Sequence, residues 1–149
     1  MVVFPFSFGN VVASFPDGYD LGYESNGYIE SRPGAAAPII LRLSLHPSTD
    51  PPRPADMGPR FVAEEAEKGG HRVHRQGGTV WYYEGESDEY IADDILLRYW
   101  KAGRGRWFVG LSATIFASQK DDPIVERTLS EIPGILCSVT DKRKRFWLF

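Results

Sequence analysis

One stretch of the sequence constrains the fold more than any other, residues 91–116, IADDILLRYWKAGRGRWFVGLSATIF. Its two halves alternate between apolar and polar positions at the period of a β-strand, and the Gly-rich segment 102–105 between them predicts a tight turn. One face of the second half carries Trp107, Val109, Leu111, Ala113 and Ile115. The first half carries apolar residues on both faces. We therefore expect a central β-hairpin that is covered on two sides.

The residues before this hairpin predict further strands. Residues 2–15 contain two apolar runs around Gly9-Asn10, which indicate an N-terminal hairpin. Residues 38–46, PIILRLSLH, alternate cleanly and predict a strand with one buried face. Five prolines follow between positions 47 and 59, so this segment is expected to cross the surface without regular structure.

Two helices are predicted. Residues 61–68 place Phe61, Val62 and Ala66 toward a core, and Gly69-Gly70 ends this helix. The alternative is an earlier start, at Ala55 or Asp56. A second helix begins at Pro123 with an aspartate, Asp121 or Asp122, as its N-cap, and Pro133-Gly134 is expected to end it.

This order of elements predicts the α+β class, with a single antiparallel, strongly twisted β-sheet on which a mid-chain helix and a C-terminal helix pack. A length of 149 residues predicts one domain, residues 1–149. The final residues 142–149, KRKRFWLF, are expected to add a strand or to form a tail.

The element pattern resembles a known family. The features that carry this resemblance are the turn Phe15-Pro-Asp-Gly-Tyr19, the Gly69-Gly70 helix end, the Tyr-Trp-bearing meander, and the closing helix with Ile-Val-Glu-Arg-Thr-Leu at 124–129. The pattern resembles the PsbP-like fold, which includes Ran-binding nuclear import factors and bacterial chaperones of secreted Rhs toxins. The resemblance implies a sheet that serves as a binding platform, and it supplies no catalytic residues.

An acidic run lies just before the central hairpin. It contains Glu84, Glu86, Asp88, Glu89, Asp93 and Asp94, with no base among them. Crowded carboxylates repel one another, so such a run is solvated, binds a metal or faces a basic partner. The D-x-[DN]-x-[DN]-G spacing of a calcium loop is absent. The alternatives are a solvated loop, a surface that docks a basic protein and, least favoured because this spacing is absent, a calcium site.

Aromatic residues are concentrated in the same meander, namely Trp81, Tyr82, Tyr83, Tyr90, Tyr99, Trp100 and Trp107. Because neighbours on a strand point to opposite faces, some of these rings must point away from the core. The first interpretation is that most of them build the core of the sheet, where aromatic residues are favoured. The alternative is a protein interface, where aromatic anchors are typical. We therefore add Trp100 and Arg104, near the tip of the hairpin, to the predicted partner-binding residues.

Residues that usually carry catalysis or bind metal form no motif. His71 and His74 are three apart, which on a strand places them on opposite faces, and His46 ends a strand. Cys137 lies in an apolar segment that is expected to be core. The sequence contains no G-x-S-x-G nucleophile elbow and no G-x-G-x-x-G after a strand. We predict no catalytic residue, no metal site and no cofactor.

The charge distribution indicates the kind of partner. The formal net charge is −3, but the last eight residues hold four of the 17 bases and none of the 20 acids. Residues 1–141 therefore carry 13 bases against 20 acids. An acidic body argues against nucleic acid and favours a basic protein surface. A single cysteine fits a reducing compartment, and the first ten residues lack a secretory layout, so we expect a cytoplasmic protein without a membrane anchor.

These observations favour a non-enzymatic binding protein, expected to be a monomer or a weak dimer. The leading hypothesis is a bacterial immunity protein that occludes the active site of a basic toxin or effector domain, of the kind secreted by type VI systems. The alternatives are a secretion chaperone or adaptor for a toxin effector, a small hydrolase whose site has no sequence motif, and a structural subunit of a larger assembly.

Overall fold

The computed structural model describes residues 1–7, 11–25, 27–46, 54, 56–76, 80–87 and 94–141 of the chain. Within these ranges the chain forms ten strands, two α-helices and a short 3₁₀ turn at Ala117–Gln119. The strands are β1 (Val2–Pro5), β2 (Val11–Phe15), β3 (Asp20–Tyr23), β4 (Ile29–Arg32), β5 (Ile39–His46), β6 (His74–Gln76), β7 (Val80–Ser87), β8 (Ile95–Arg104), β9 (Trp107–Phe116) and β10 (Thr140–Asp141). The helices are α1 (Met57–Gly69) and α2 (Pro123–Ser138). The α+β class is confirmed.

The large sheet is antiparallel and, over the described part of the chain, has seven strands in the order β3-β4-β5-β9-β8-β7-β6. Its two faces differ. The core face carries Leu41, Leu43, Trp100, Leu111 and Ala113, all at most 2% exposed. The opposite face, here called the α1 face, carries Arg42, Ser44, Tyr99, Lys101, Gly110 and Ser112. Burial of each large apolar side chain stabilises the fold by about 1.5–3 kcal/mol, so the core face holds the sheet together.

The central hairpin confirms the strongest sequence prediction. Strands β8 and β9 pair along their whole lengths, from Ile95 opposite Phe116 to Arg104 opposite Trp107. The turn is tighter than predicted, because only Gly105 and Arg106 lie between the last paired residues. Gly105 has a φ of 57°, a conformation that favours glycine, and a glycine at the first central position is typical of a two-residue hairpin turn.

The predicted N-terminal hairpin also forms, with Val2 opposite Phe15. It does not extend the large sheet. It forms a second, small sheet with β10, in the order β1-β2-β10. This small sheet and α2 cover the core face, and Phe15, Ala13, Ile132 and Leu136 join its hydrophobic core. The alternation of apolar and polar residues in β2 could not predict which sheet the strand joins, because a strand with one buried face has the same pattern in either sheet.

Helix α1 lies on the α1 face and begins at Met57, between the predicted start at Phe61 and the alternative start at Ala55 or Asp56. Val62 and Ala66 are fully buried there against Tyr83. Gly58 and Gly103 let the helix approach β8 closely, since a Cβ added to Gly103 would collide with the carbonyl of Gly58. The predicted end is confirmed, because Gly70 takes the left-handed conformation (φ 69°) and donates to Ala66 O and Glu67 O.

Helix α2 begins as predicted. Asp122 is its N-cap and accepts a hydrogen bond from Ile124 N at 3.0 Å. The predicted end at Pro133-Gly134 is wrong, because the helix continues to Ser138 with Pro133 inside it. Ile132, Ile135 and Leu136 are at most 2% exposed, and their burial on both sides of the proline offsets the hydrogen bond that proline cannot donate.

Two sequence predictions concern residues outside the described ranges. The first is the proline-rich crossover between positions 47 and 59, of which the structure describes residues 54 and 56–59. The second is the terminal segment 142–149, predicted to be a strand or a tail.

Candidate functional site

The predicted acidic surface is described in part. Glu84, Glu86 and Asp94 lie within the described ranges, whereas Asp88, Glu89 and Asp93 lie outside them. Glu84 and Glu86 are on β7 and share the core face of the sheet, at its outer margin. Both side chains are exposed.

The exposed Glu84 side chain also contacts Trp100 and Arg98 of the neighbouring strand. Its Oε2 accepts a hydrogen bond from Trp100 Nε1 at 3.0 Å and lies 3.8 Å from Arg98 Nη2. The Arg98 guanidinium lies 5.5 Å from the Trp100 ring centroid. Since an unsatisfied buried indole N–H costs about 1–3 kcal/mol, Glu84 stabilises the position of Trp100. Burial, with a smaller effect from the charge of Glu84, raises the pKa of Tyr82.

The structure corrects the expectation that Trp100 is an outward aromatic. Its side chain is 2% exposed and packs in the core face, opposite Leu111 on β9. The sequence allowed either orientation, because both faces of β8 carry large apolar residues. A ring buried to this extent is not available to a partner, and its role is to build the core.

The Arg104 side chain is hydrogen-bonded to the end of α2. Its Nη1 donates to Cys137 O at 3.1 Å and to Val139 O at 3.0 Å. The last carbonyls of a helix have no partner within the helix, so this guanidinium caps the end of α2. Cys137 is half-buried and lies in the last turn of α2. The expectation that Arg104 reaches outward from the hairpin tip is therefore corrected.

Asp94 holds the connection between β9 and α2. Its carboxylate accepts from Ser118 N at 2.8 Å and Ser118 Oγ at 3.2 Å, and its carbonyl accepts from Ala117 N at 2.9 Å. The side chain is exposed, so it remains accessible to solvent while it fixes the 3₁₀ turn.

A compact surface remains where the predicted acidic residues meet exposed apolar area. Leu96 on β8 is 40% exposed and shares the core face with Arg98, which pairs with Glu86 across the strands. We call the set Glu84, Glu86, Leu96 and Arg98 the acidic margin. It places an exposed leucine beside two exposed carboxylates and one guanidinium.

The other aromatic residues of the meander divide between the two faces. Tyr83 is 6% exposed and packs against α1, with His71 stacked on it at 5.0 Å. Tyr82 points the opposite way and stacks on His74 at 5.2 Å. The two histidines therefore lie on opposite faces of the sheet, as predicted. Trp81 packs under the Arg75 guanidinium at 4.0 Å, and Tyr90 lies outside the described ranges.

A groove on the α1 face was not predicted. Its volume is about 220 Å³, and it is lined by His46, Phe61, Glu65, Tyr83, Lys101, Phe108, Val109 and Gly110. We call it the Lys101 groove. Phe108 stacks on Phe61 at 4.1 Å and on His46 at 5.3 Å. Burial, with smaller contributions from the charges of Glu65 and Tyr99, raises the pKa of Tyr83, so its hydroxyl stays protonated at neutral pH.

The sequence contained one signal for this groove. Gly110 interrupts the pattern of side chains on the second face of β9, and a glycine inside a strand marks a place where something approaches the backbone closely. The partners of Gly110 could not be predicted, because Phe61 and Lys101 come together only when α1 packs on the sheet.

In the part of the chain that the structure describes, no group of three or more His, Cys, Asp or Glu residues is placed to hold a metal ion. None of the described helices is long and apolar enough to cross a membrane.

Comparisons with known proteins identify the fold. No protein-family model matches the chain, and no curated protein sequence matches it. A crystal structure of a protein from Bacteroides thetaiotaomicron VPI-5482 is similar over 89% of this chain, with a TM-score of 0.63 and 12% identity. The chain spans 45% of that protein, about half its length.

The solution structure of the cyanobacterial PsbP (CyanoP) from Synechocystis sp. PCC 6803 is also similar. The match covers 89% of this chain and 86% of CyanoP, with a TM-score of 0.50 and 11% identity. The chain has a PsbP-like fold, as its sequence pattern indicated. At this identity the likeness concerns the fold alone.

Proposed function

We propose that the protein is a non-enzymatic binding protein, specifically an immunity protein that occludes the active site of a basic toxin or effector domain. The acidic margin is its contact surface. In this proposal it acts in the cytoplasm as a monomer or a weak dimer, and it binds neither nucleic acid nor membrane.

The observation that carries the proposal is the exposure of Leu96 beside two carboxylates. Leu96 is 40% exposed, and Glu84 and Glu86 lie on the neighbouring strand of the same sheet face. The exposed part of this apolar side chain gains free energy when a partner covers it. The carboxylates then face the basic groups of that partner.

The charge of the whole chain supports a basic partner. Residues 1–141 carry 13 bases against 20 acids, so the body of the protein attracts a basic surface over distance. Such steering raises association rates and makes them depend on salt, and complementary charges at the contact select the partner.

The acidic margin differs from the sequence-predicted set in its members. Glu86 is the principal charged contact, because it is exposed and, unlike Glu84, makes no hydrogen bond to the core. Trp100 lies beneath the surface and donates to Glu84, Arg104 caps the end of α2, and Asp94 fixes the 3₁₀ turn. Asp88, Glu89 and Asp93 remain predicted contacts.

The test has two steps. First, the tagged chain is used to capture partners from cells of its source, and the captured protein is identified by mass spectrometry. Second, that protein is expressed in a bacterial host with and without the chain. We expect the captured protein alone to stop growth and the wild-type chain to restore it.

Charge variants connect this rescue to the proposed surface. We expect Glu86→Lys to lose the rescue, because like charges placed together at an interface cost several kcal/mol. The matched control is Glu64→Lys, which reverses an exposed carboxylate on α1, on the other face of the sheet. Rescue by both variants would refute the acidic margin as the contact. A captured protein that is harmless but needs the chain for its export would instead support a secretion chaperone.

A further inference from the structure

A second site is present on the opposite face from the acidic margin. The Lys101 groove lies where α1 leaves the sheet uncovered, and its volume of about 220 Å³ is below the roughly 300–1,000 Å³ of sites for drug-sized ligands. A cavity of about 150 Å³ accepts one benzene ring. The groove therefore has room for a single ring with one small substituent.

Lys101 supplies a positive charge to the groove. Its side chain is exposed, and no described residue forms an ion pair with it. The ammonium lies above the glycine floor, because a Cβ added to Gly110 would be 3.6 Å from Lys101 Nζ and 2.8 Å from Ser44 Oγ. The ammonium thus lies above Gly110, and the Ser44 hydroxyl lies beside the same floor, where it donates to Gly110 O at 3.5 Å.

The second charge in the groove limits what this ammonium would bind. Glu65 also lines the groove, and its carboxylate lies 3.9 Å from Lys68 Nζ. A dianion such as phosphate would be repelled by Glu65, whereas a monoanion is attracted to Lys101 at a smaller cost. The geometry favours a carboxylate.

The wall of the groove is aromatic. The Phe61 and Phe108 rings are nearly parallel, with an interplanar angle of 11°, and His46 continues the stack. Aromatic pairs contribute about 0.5–1.5 kcal/mol beyond their buried area, so this wall prefers a ring to an aliphatic chain.

We propose that the Lys101 groove binds a small aromatic carboxylate. The carboxylate contacts Lys101 Nζ and Ser44 Oγ, and the ring lies against the stack of Phe61 and Phe108. This site does not depend on the proposed function, because the groove opens on the α1 face and the acidic margin lies on the core face.

Benzoate is the probe, titrated into the ¹⁵N-labelled full chain while amide shifts are recorded. A fragment of this size binds with a dissociation constant on the order of millimolar or tighter. We expect shifts at Lys101, Gly110 and Ser44, and at least about tenfold weaker binding of benzamide, which has the same shape without the charge.

Two variants locate the binding. Lys101→Met keeps most of the side-chain length and removes the charge, and we expect at least about tenfold weaker binding of benzoate. Gly110→Ala places a methyl group on the floor, where it meets only side-chain atoms of Ser44 and Lys101. We expect it to keep the thermal stability of the wild type and to lose benzoate binding.

Lys120→Met, which removes an exposed ammonium just after the 3₁₀ turn and away from the groove, is the control and should bind benzoate as the wild type does. Absence of groove shifts at about 20 mM benzoate would overturn the proposal, since that concentration exceeds the expected constant. Equal weakening by Lys101→Met and Lys120→Met would also overturn it, because the interaction would then be with surface charge in general.

Discussion

Arg104 offers the sharpest separation between a structural role and a partner-binding role. The Arg104→Met variant removes the guanidinium and keeps the apolar stem, so it deletes the two hydrogen bonds from Nη1 to Cys137 O and Val139 O. Hydrogen bonds made by a charged group are worth about 1.5–3 kcal/mol each, and a cation at a helix C-terminus adds about 0.3–1 kcal/mol. Partial exposure of the side chain reduces both contributions.

We therefore expect Arg104→Met to lower the free energy of unfolding by about 2–3 kcal/mol. In a domain of this size that loss lowers the melting temperature by about 4–12 °C. The assay is urea denaturation followed by tryptophan fluorescence, with an unchanged dependence on urea concentration as the sign that the same structure unfolds.

Arg72→Met is the matched control, because the Arg72 side chain is exposed and lies outside the helices and strands. It should change the free energy of unfolding by less than about 0.5 kcal/mol. An equally small change for Arg104→Met would refute the argument that the guanidinium caps α2. It would also return Arg104 to the residues available for a partner.

Two further predictions concern packing and pH. Gly103→Ala should lower the free energy of unfolding, measured by urea denaturation, by about 1–3 kcal/mol, because its Cβ would collide with the Gly58 carbonyl. Gly22→Ala should change this free energy little, because nothing lies within 4 Å of the added Cβ. Equal effects of the two variants would contradict the close approach of α1 to β8. The Tyr19 hydroxyl donates a hydrogen bond to Glu131 at 3.2 Å. Burial, together with the negative charge of Glu131, raises the pKa of Tyr19 to about 12. The unfolded tyrosine ionises near pH 10, so the stability from this group is fully present below pH 10 and falls as the pH rises toward 12. Tyr19→Phe should weaken this alkaline fall in the urea midpoint, and an identical pH profile in the two proteins would contradict it.

The sequence predicted those features that depend on local pattern. The alternation of Val109, Leu111 and Ala113 gave the buried face of β9, and Asp122 before Pro123 gave the start of α2. Gly70 gave the end of α1. In each case the physical cause lies within a few residues, so the signal is present in the sequence itself.

Features that depend on packing between distant elements could not be predicted in this way. Tyr99 and Trp100 are both large and apolar, and only the position of α2 and the small sheet decides which ring is the more deeply buried. Arg104 was assigned to the surface because the carbonyls of Cys137 and Val139 approach it only in the folded chain. Pro133 misled the prediction of the helix end because burial on both sides of it outweighs its local cost.

The Lys101 groove illustrates the same limit for a site. Phe61 comes from α1, Lys101 from β8 and Gly110 from β9, and each is unremarkable among its neighbours in sequence. The acidic margin could be predicted more fully, since Glu84 and Glu86 belong to one acidic run. Leu96 completes it only because β7 and β8 pair.

The most direct test of the proposed function is the dissociation constant of the purified chain for its captured partner, measured by calorimetry at low and high salt. We predict that binding weakens as the salt concentration rises. We also predict that Glu86→Lys binds at least about tenfold more weakly than the wild type, while Glu64→Lys binds as the wild type does. Equal binding by the two variants, or binding that does not change with salt, would contradict the claim that the acidic margin holds a basic partner.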